Sequence, residues 1–85
     1  MPAVRLRALP VIVEGILYDG TNGAEVVGWV GNDAQFVEGE LVVKTLDGPH
    51  IADPGETIIR GTLGEHYMIR PEVRLAKYEL VGERS

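Results

Sequence analysis

The chain contains no cysteine. This excludes disulfides, thiolate-bound metal and a cysteine nucleophile, and it fits a reducing compartment. Serine occurs once, as Ser85. Thr21, Thr45, Thr57 and Thr62 stand at turns or strands with no base at a recognisable spacing, so no hydroxyl nucleophile and no catalytic residue is assigned. The only histidines are His50 and His66, whereas zinc takes about four close N or S ligands. No metal site is expected. The glycines form neither G-x-G-x-x-G nor G-x-x-x-x-G-K-[ST], and no helix follows G-T-L-G-E-H to bind a phosphate, so no cofactor is expected. Apolar runs such as VIV, LVV and MI fall far short of the roughly 20 residues that span a bilayer. In MPAVRLRALPVIV the two arginines faintly resemble a signal-peptide start, but the internal proline, the short apolar patch and the early Glu14 argue against it. The expected location is the cytoplasm.

What remains is 85 residues, 45% of them hydrophobic, enough for one small domain with a thin two-layer core. Charge is unevenly spread. Residues 11–59 hold nine acids and only Lys44, while Arg5 and Arg7 make the first ten residues basic and the chain totals −5. An acidic middle repels phosphate backbones, so nucleic acid and membrane are not expected as partners. The acidity reads as solubility or as a face for a basic partner protein.

Residues 1–9 read as an N-terminal arm, 10–82 as a single α+β domain and 83–85 as a polar tail. VIVEGILY at 11–18 is the first strand, with Glu14 facing solvent and Gly15 marking a bulge. After the turn cluster at 19–23, Thr21 or Asn22 can cap a helix over AEVVGWVG. Val26, Val27 and Val30 share one face of it, and Gly28 allows close packing on the sheet. AQFV at 34–37 offers a short strand, and 40–46 a firmer one. Asp47-Gly48 is the strongest hairpin signal, returning the chain at 49–52 from Pro49, an edge residue. Pro54-Gly55 fits the centre of a type II turn. Strands at 56–61 and 66–70 flank a turn containing Gly64, Pro71 starts a short helical turn, and 77–81 is a last strand. The expected architecture is a small twisted, mainly antiparallel sheet of about 5–6 strands with one covering helix and a short C-terminal helical turn, order β-α-β-β-β-β-α(short)-β.

Arg60 and Arg70 flank the last hairpin. They read either as an anion clamp with His66 and Tyr67 or as exposed strand charges paired to nearby acids. Tyr67 and Tyr78 read as core rings with surface hydroxyls. Trp29 packs the helix on the sheet, or is an interface residue if exposed.

The stretch Pro54-Gly55-Glu56-Thr57-Ile58-Ile59-Arg60-Gly61, followed by Gly64-Glu65-His66-Tyr67, Arg70-Pro71-Glu72 and Lys77-Tyr78-Glu79, resembles a signature of the form PGDWIIRG…GEFY…KPD…TYE. That signature belongs to a group of small phage and prophage proteins of unknown function. Val13-Glu14-Gly15-Ile16, the V-x-x-W-V helix and the Leu41–Gly48 hairpin are similar too. Glu56, Thr57 and His66 depart from the group's usual aspartate, aromatic and phenylalanine, and Arg70 and Glu72 keep the charges of its K-P-D. The resemblance implies a phage-encoded accessory protein in the bacterial host cytoplasm, without an activity.

Three functions follow as expectations. The first is a non-catalytic protein–protein interaction module that binds a host or phage protein or forms a homodimer. The second is a small-ligand or anion-binding protein, or a modest enzyme, at Arg60, His66, Tyr67 and Arg70. The third is an acidic nucleic-acid mimic, which requires the carboxylates to gather on one face.

Overall fold

The computed structural model describes residues 12–78. The chain forms β1 (Glu14–Leu17), α1 (Gly23–Val30), β2 (Ala34–Val37), β3 (Glu40–Thr45), β4 (Gly48–Ile51), β5 (Thr57–Arg60), β6 (His66–Ile69) and α2 (Pro71–Lys77). The fold is α+β with all strand pairs antiparallel, as the sequence suggests, but the strands form two sheets rather than one: β1-β5-β6 and β2-β3-β4. Five strands separate the helices, one more than in the expected order, and the short strand offered at 34–37 is among them, paired with β3 in regular register. The expected arm at 1–9 and tail at 83–85 lie outside the described residues. So does most of the expected strand at 77–81, where Lys77 instead closes α2.

The split into two sheets is made at Asp53-Pro54-Gly55-Glu56. Pro54 and Gly55 occupy the expected turn, closed by Glu56 N donating to Asp53 O at 3.1 Å, with Gly55 at φ 99°. The chain leaves this turn alongside β1. Gly55 N donates to Tyr18 O at 2.7 Å and Tyr18 N to Glu56 O at 2.9 Å, and the register continues from Leu17↔Thr57 to Glu14↔Arg60. β5 therefore pairs with β1, not with β4. Gly15 is part of this regular pairing and makes no bulge. Pro49 does lie in a sheet-edge strand, β4, where its missing N–H disturbs the ladder least.

The hairpins expected at Glu38-Gly39 and Asp47-Gly48 both form, with different turn chemistry. Both residues between β2 and β3 have positive φ, Glu38 at 51° and Gly39 at 84°, as a two-residue type I′ hairpin requires. Between β3 and β4 the loop residues are Leu46 and Asp47, with Thr45 paired to Gly48. Neither loop residue has positive φ, whereas Gly48 has φ 108°. Gly48 thus follows the turn rather than sitting at its centre, the arrangement of a turn with a glycine bulge. The Thr45 hydroxyl braces it, donating to Gly48 O at 2.8 Å and accepting from Asp47 N at 3.2 Å. Pro71 opens α2 as expected.

The core gathers Val26, Val30, Ala34, Leu41, Val43, Ala52 and Ile58 between α1 and the two sheets. Ile58 and Ile59 point to opposite faces and both are buried, so β5 is covered on both sides. The start of α1 is held differently from the expected side-chain cap. Asp19 Oδ1 accepts from Thr21 N and the Thr21 hydroxyl, each at 2.7 Å, and from Asn22 N at 3.1 Å. These bonds, led by the Thr21 amide, hold the Asp19 carboxyl below its ordinary value of 3.8. Asn22 spends its amide on Leu17 O at 2.8 Å, tying the loop to β1, and makes no cap bond.

Gly28 does not serve close packing. It faces solvent, and a Cβ there would meet nothing within 4 Å. Gly28→Ala is therefore expected to stabilise the fold by about 0.5–1 kcal/mol, since glycine in a helix interior carries an entropic cost with no contact to offset it. An unchanged or lower urea midpoint would contradict this.

Candidate functional site

Antiparallel pairing across the five-residue loop Gly61–Glu65 sets Arg60 opposite His66. Side chains alternate along a strand, so these two share a face with Ile58 and Met68, and that face looks toward α1. The guanidinium of Arg60 lies 4.0 Å from the centroid of the Trp29 ring. It donates through Nη2 to the Trp29 carbonyl, through Nη1 to Glu14 Oε1 at 3.4 Å, and through Nε to His66 Nε2 at 3.4 Å. On its other side His66 Nδ1 stands 3.2 Å from Asp33 Oδ2. The imidazole is only 6% exposed and meets the indole edge-on, centroids 6.3 Å apart.

The hydrogen-bond roles follow from the chemistry of arginine. A guanidinium has only donors, so Nε–H gives to His66 Nε2, which must accept. Nδ1 then carries the imidazole proton and donates to Asp33. The order Glu14–Arg60–His66–Asp33 is a single chain of bonds laid over Trp29. Each charged or polar group in it has a partner within the chain.

Two of the four expected ligand residues are thus brought together, and two are not. Tyr67 follows His66 and points to the opposite face, beside Ile59. Its burial, then the neighbouring Tyr78 hydroxyl and the Glu65 carboxylate, push its hydroxyl up from 10.0 to about 12. Arg70 lies exposed past the far end of β6, about 13 Å along the chain from His66 at the usual rise of an extended strand. Arg60 and Arg70 therefore form no clamp. Trp29 is half-buried, packing on the core as expected while its ring also receives Arg60.

Asp33 and Glu14 complete the cluster, yet nothing local marks them. Asp33 is 33 residues from His66 and Glu14 is 46 from Arg60. Alternation within His66-Tyr67 was the available signal, since adjacent strand residues cannot share a face.

Glu56, a buried acid at 8% exposure, closes its own turn: Oε1 accepts from Asp53 N at 2.7 Å, and Oε2 lies 4.0 Å from His50 Nε2. His50 and His66 belong to different sheets. Glu65 likewise turns inward, with Oε1 accepting from Leu63 N at 3.0 Å. Its carboxylate occupies the space a Cβ on Gly61 would need.

Among the described residues, surface clefts of about 270 and 190 Å³ are lined by Leu17, Thr57, Pro71, Arg74 and Leu75 and by Asn32, Asp33, Gln35 and Lys44, among others. Neither is lined by Arg60, His66, Tyr67 or Arg70. Nor do the acids of 11–59 make one track. Glu38 and Asp47 sit in the turns at opposite ends of β3, Glu25 is on α1, and Glu56 is buried. No family model matches the chain, and neither a curated protein nor a solved structure matches it significantly.

Two outcomes are expected. Arg60→Ala should lower the unfolding free energy by about 1–3 kcal/mol, the scale of a cation–π contact plus a charged hydrogen bond, and should change Trp29 fluorescence. A fluorescence spectrum and urea midpoint matching wild type would refute this. For Tyr67 the raised value means that, above pH 10, the unfolded chain loses its proton before the folded one does. Its contribution to stability is full below pH 10 and declines as pH rises towards 12. Urea midpoints across that window should fall less in Tyr67→Phe than in wild type.

Proposed function

We propose that this protein is a non-catalytic protein–protein interaction module. The observation that carries the reading is that three of the most exposed apolar side chains lie toward one end of the fold. Ile12, Leu46 and Leu63 are 77%, 78% and 91% exposed. Leu46 is in the turn after β3 and Leu63 in the turn after β5. Those turns leave the body at the same end. Lys44 N donates to Asp33 O at 2.6 Å, and Asp33 reaches His66 beside the second turn. Ile12 precedes Glu14, whose partner Arg60 opens that turn. Exposed apolar groups that come close enough to form one patch mark interaction sites.

The polar cluster favours the same reading over a ligand-binding or enzymatic one. Arg60 and His66 spend their donors and acceptors on each other and on Trp29, Glu14 and Asp33, leaving the expected anion site without a free guanidinium fork. No described helix is long and apolar enough to cross a membrane. The likeness to small phage and prophage proteins supports a role in the bacterial host cytoplasm, with a host or phage protein, or a second copy of the chain, as partner.

The double variant Leu46→Asp, Leu63→Asp tests this. Both side chains are solvent-exposed, so stability should change by no more than about 0.5 kcal/mol each. Affinity capture with wild type should retain a protein that the variant loses, or sedimentation should show an oligomer that the variant dissociates. Identical captures and a monomer in both cases would end the proposal.

A further inference from the structure

We infer that His66 is a proton-operated switch that controls whether Arg60 covers Trp29. The argument starts from the two nitrogens of the imidazole. Nε2 accepts from Arg60 Nε, and Nδ1 faces Asp33, so the arrangement holds only for a neutral ring. Protonation puts an N–H on Nε2, directly against the N–H of Arg60 at 3.4 Å. Two donors and two positive charges then meet against a ring that is itself almost fully buried, where a mismatch of donors is costly.

The surroundings give the strain a way out. Asp33, from the turn between α1 and β2, favours the proton on His66. Arg60, from β5, opposes it. Glu14, from β1, is exposed and already holds Nη1 of Arg60 at 3.4 Å, so it offers the guanidinium a place to swing outward. Lys44, from β3, shares a cleft with Asp33 on the outer side. Glu65, the neighbour on His66's own segment, is turned back onto Leu63 N, and Tyr67 points to the other face. Proton binding and the docking of Arg60 on the indole are therefore linked reciprocally: each weakens the other. Acid moves Arg60 toward Glu14, breaks the stack on Trp29 and uncovers the indole. This holds whether or not the exposed leucines bind a partner.

The chain has one tryptophan, so its fluorescence reports this site alone. The full-length protein is titrated through the histidine range, about pH 5–8, with circular dichroism confirming that the fold persists. Trp29 emission should shift to the red, and acrylamide should quench it more strongly at the acid end. His66→Gln and Arg60→Gln should both abolish the step, the second because no guanidinium is left to displace, whereas His50→Gln should keep it. Unchanged acrylamide quenching in wild type would overturn the inference, as would a step that survives in His66→Gln or disappears in His50→Gln. If His66→Gln does not fold, nitrogen NMR of wild-type His66 decides the matter. A neutral ring protonated on Nδ1, titrating together with the Trp29 indole signal, supports the switch, and the opposite tautomer or an indole signal that does not follow the imidazole refutes it.

Discussion

Ile58 lies wholly buried at the centre of the core that α1 and the two sheets share. Val26 and Val30 approach it from the helix, and Leu41 and Val43 from the second sheet. A chain this short has few apolar side chains to spend, and one central residue must serve both layers. This explains why β5 is buried on both faces. It also explains why the chain must cross from one sheet to the other just before it, at Asp53–Glu56.

The same geometry decides what the polar residues can do. The core needs alternate residues of β5 and β6 facing inward, and the alternation that buries Ile58 also carries Arg60 and His66 to the edge of that core. A charged fork at such a boundary is costly unless its donors are met. The indole, a carbonyl, a carboxylate and an imidazole meet them. The cluster is therefore a way of finishing the rim of a thin core with polar groups. Its sensitivity to protons is a property of how tightly those groups are matched.

Much of the fold was legible in the residues. Pro54-Gly55, the valine spacing of α1, the edge position of Pro49 and the β5–β6 hairpin all act locally, over a few residues, and all appear where the sequence places them. The failures are equally physical. One sheet became two because pairing of β1 with β5 is a long-range choice that no local pattern encodes. The hairpin signalled by Asp47-Gly48 forms, whereas the pair with both residues at positive φ is Glu38-Gly39, which the sequence marks only as a turn. Gly28 looked like a packing glycine and faces water. At the site, Arg60 and His66 were recognisable as neighbours, whereas Asp33 and Glu14 come from distant segments and are fixed only by tertiary packing.

The register of β1 against β5 sets the order in which the structure can assemble. β2, β3 and β4 are joined by turns of two residues or so and can zip together while only their own segment is available. Among the described residues β1 pairs only with β5, which needs the chain as far as Arg60, and closing so long a loop is entropically slow. During synthesis, the N-terminal strand therefore waits with its edge unpaired while the later-numbered meander forms. The Pro54–Gly55 turn is the last corner the ribosome must deliver before that strand can be covered.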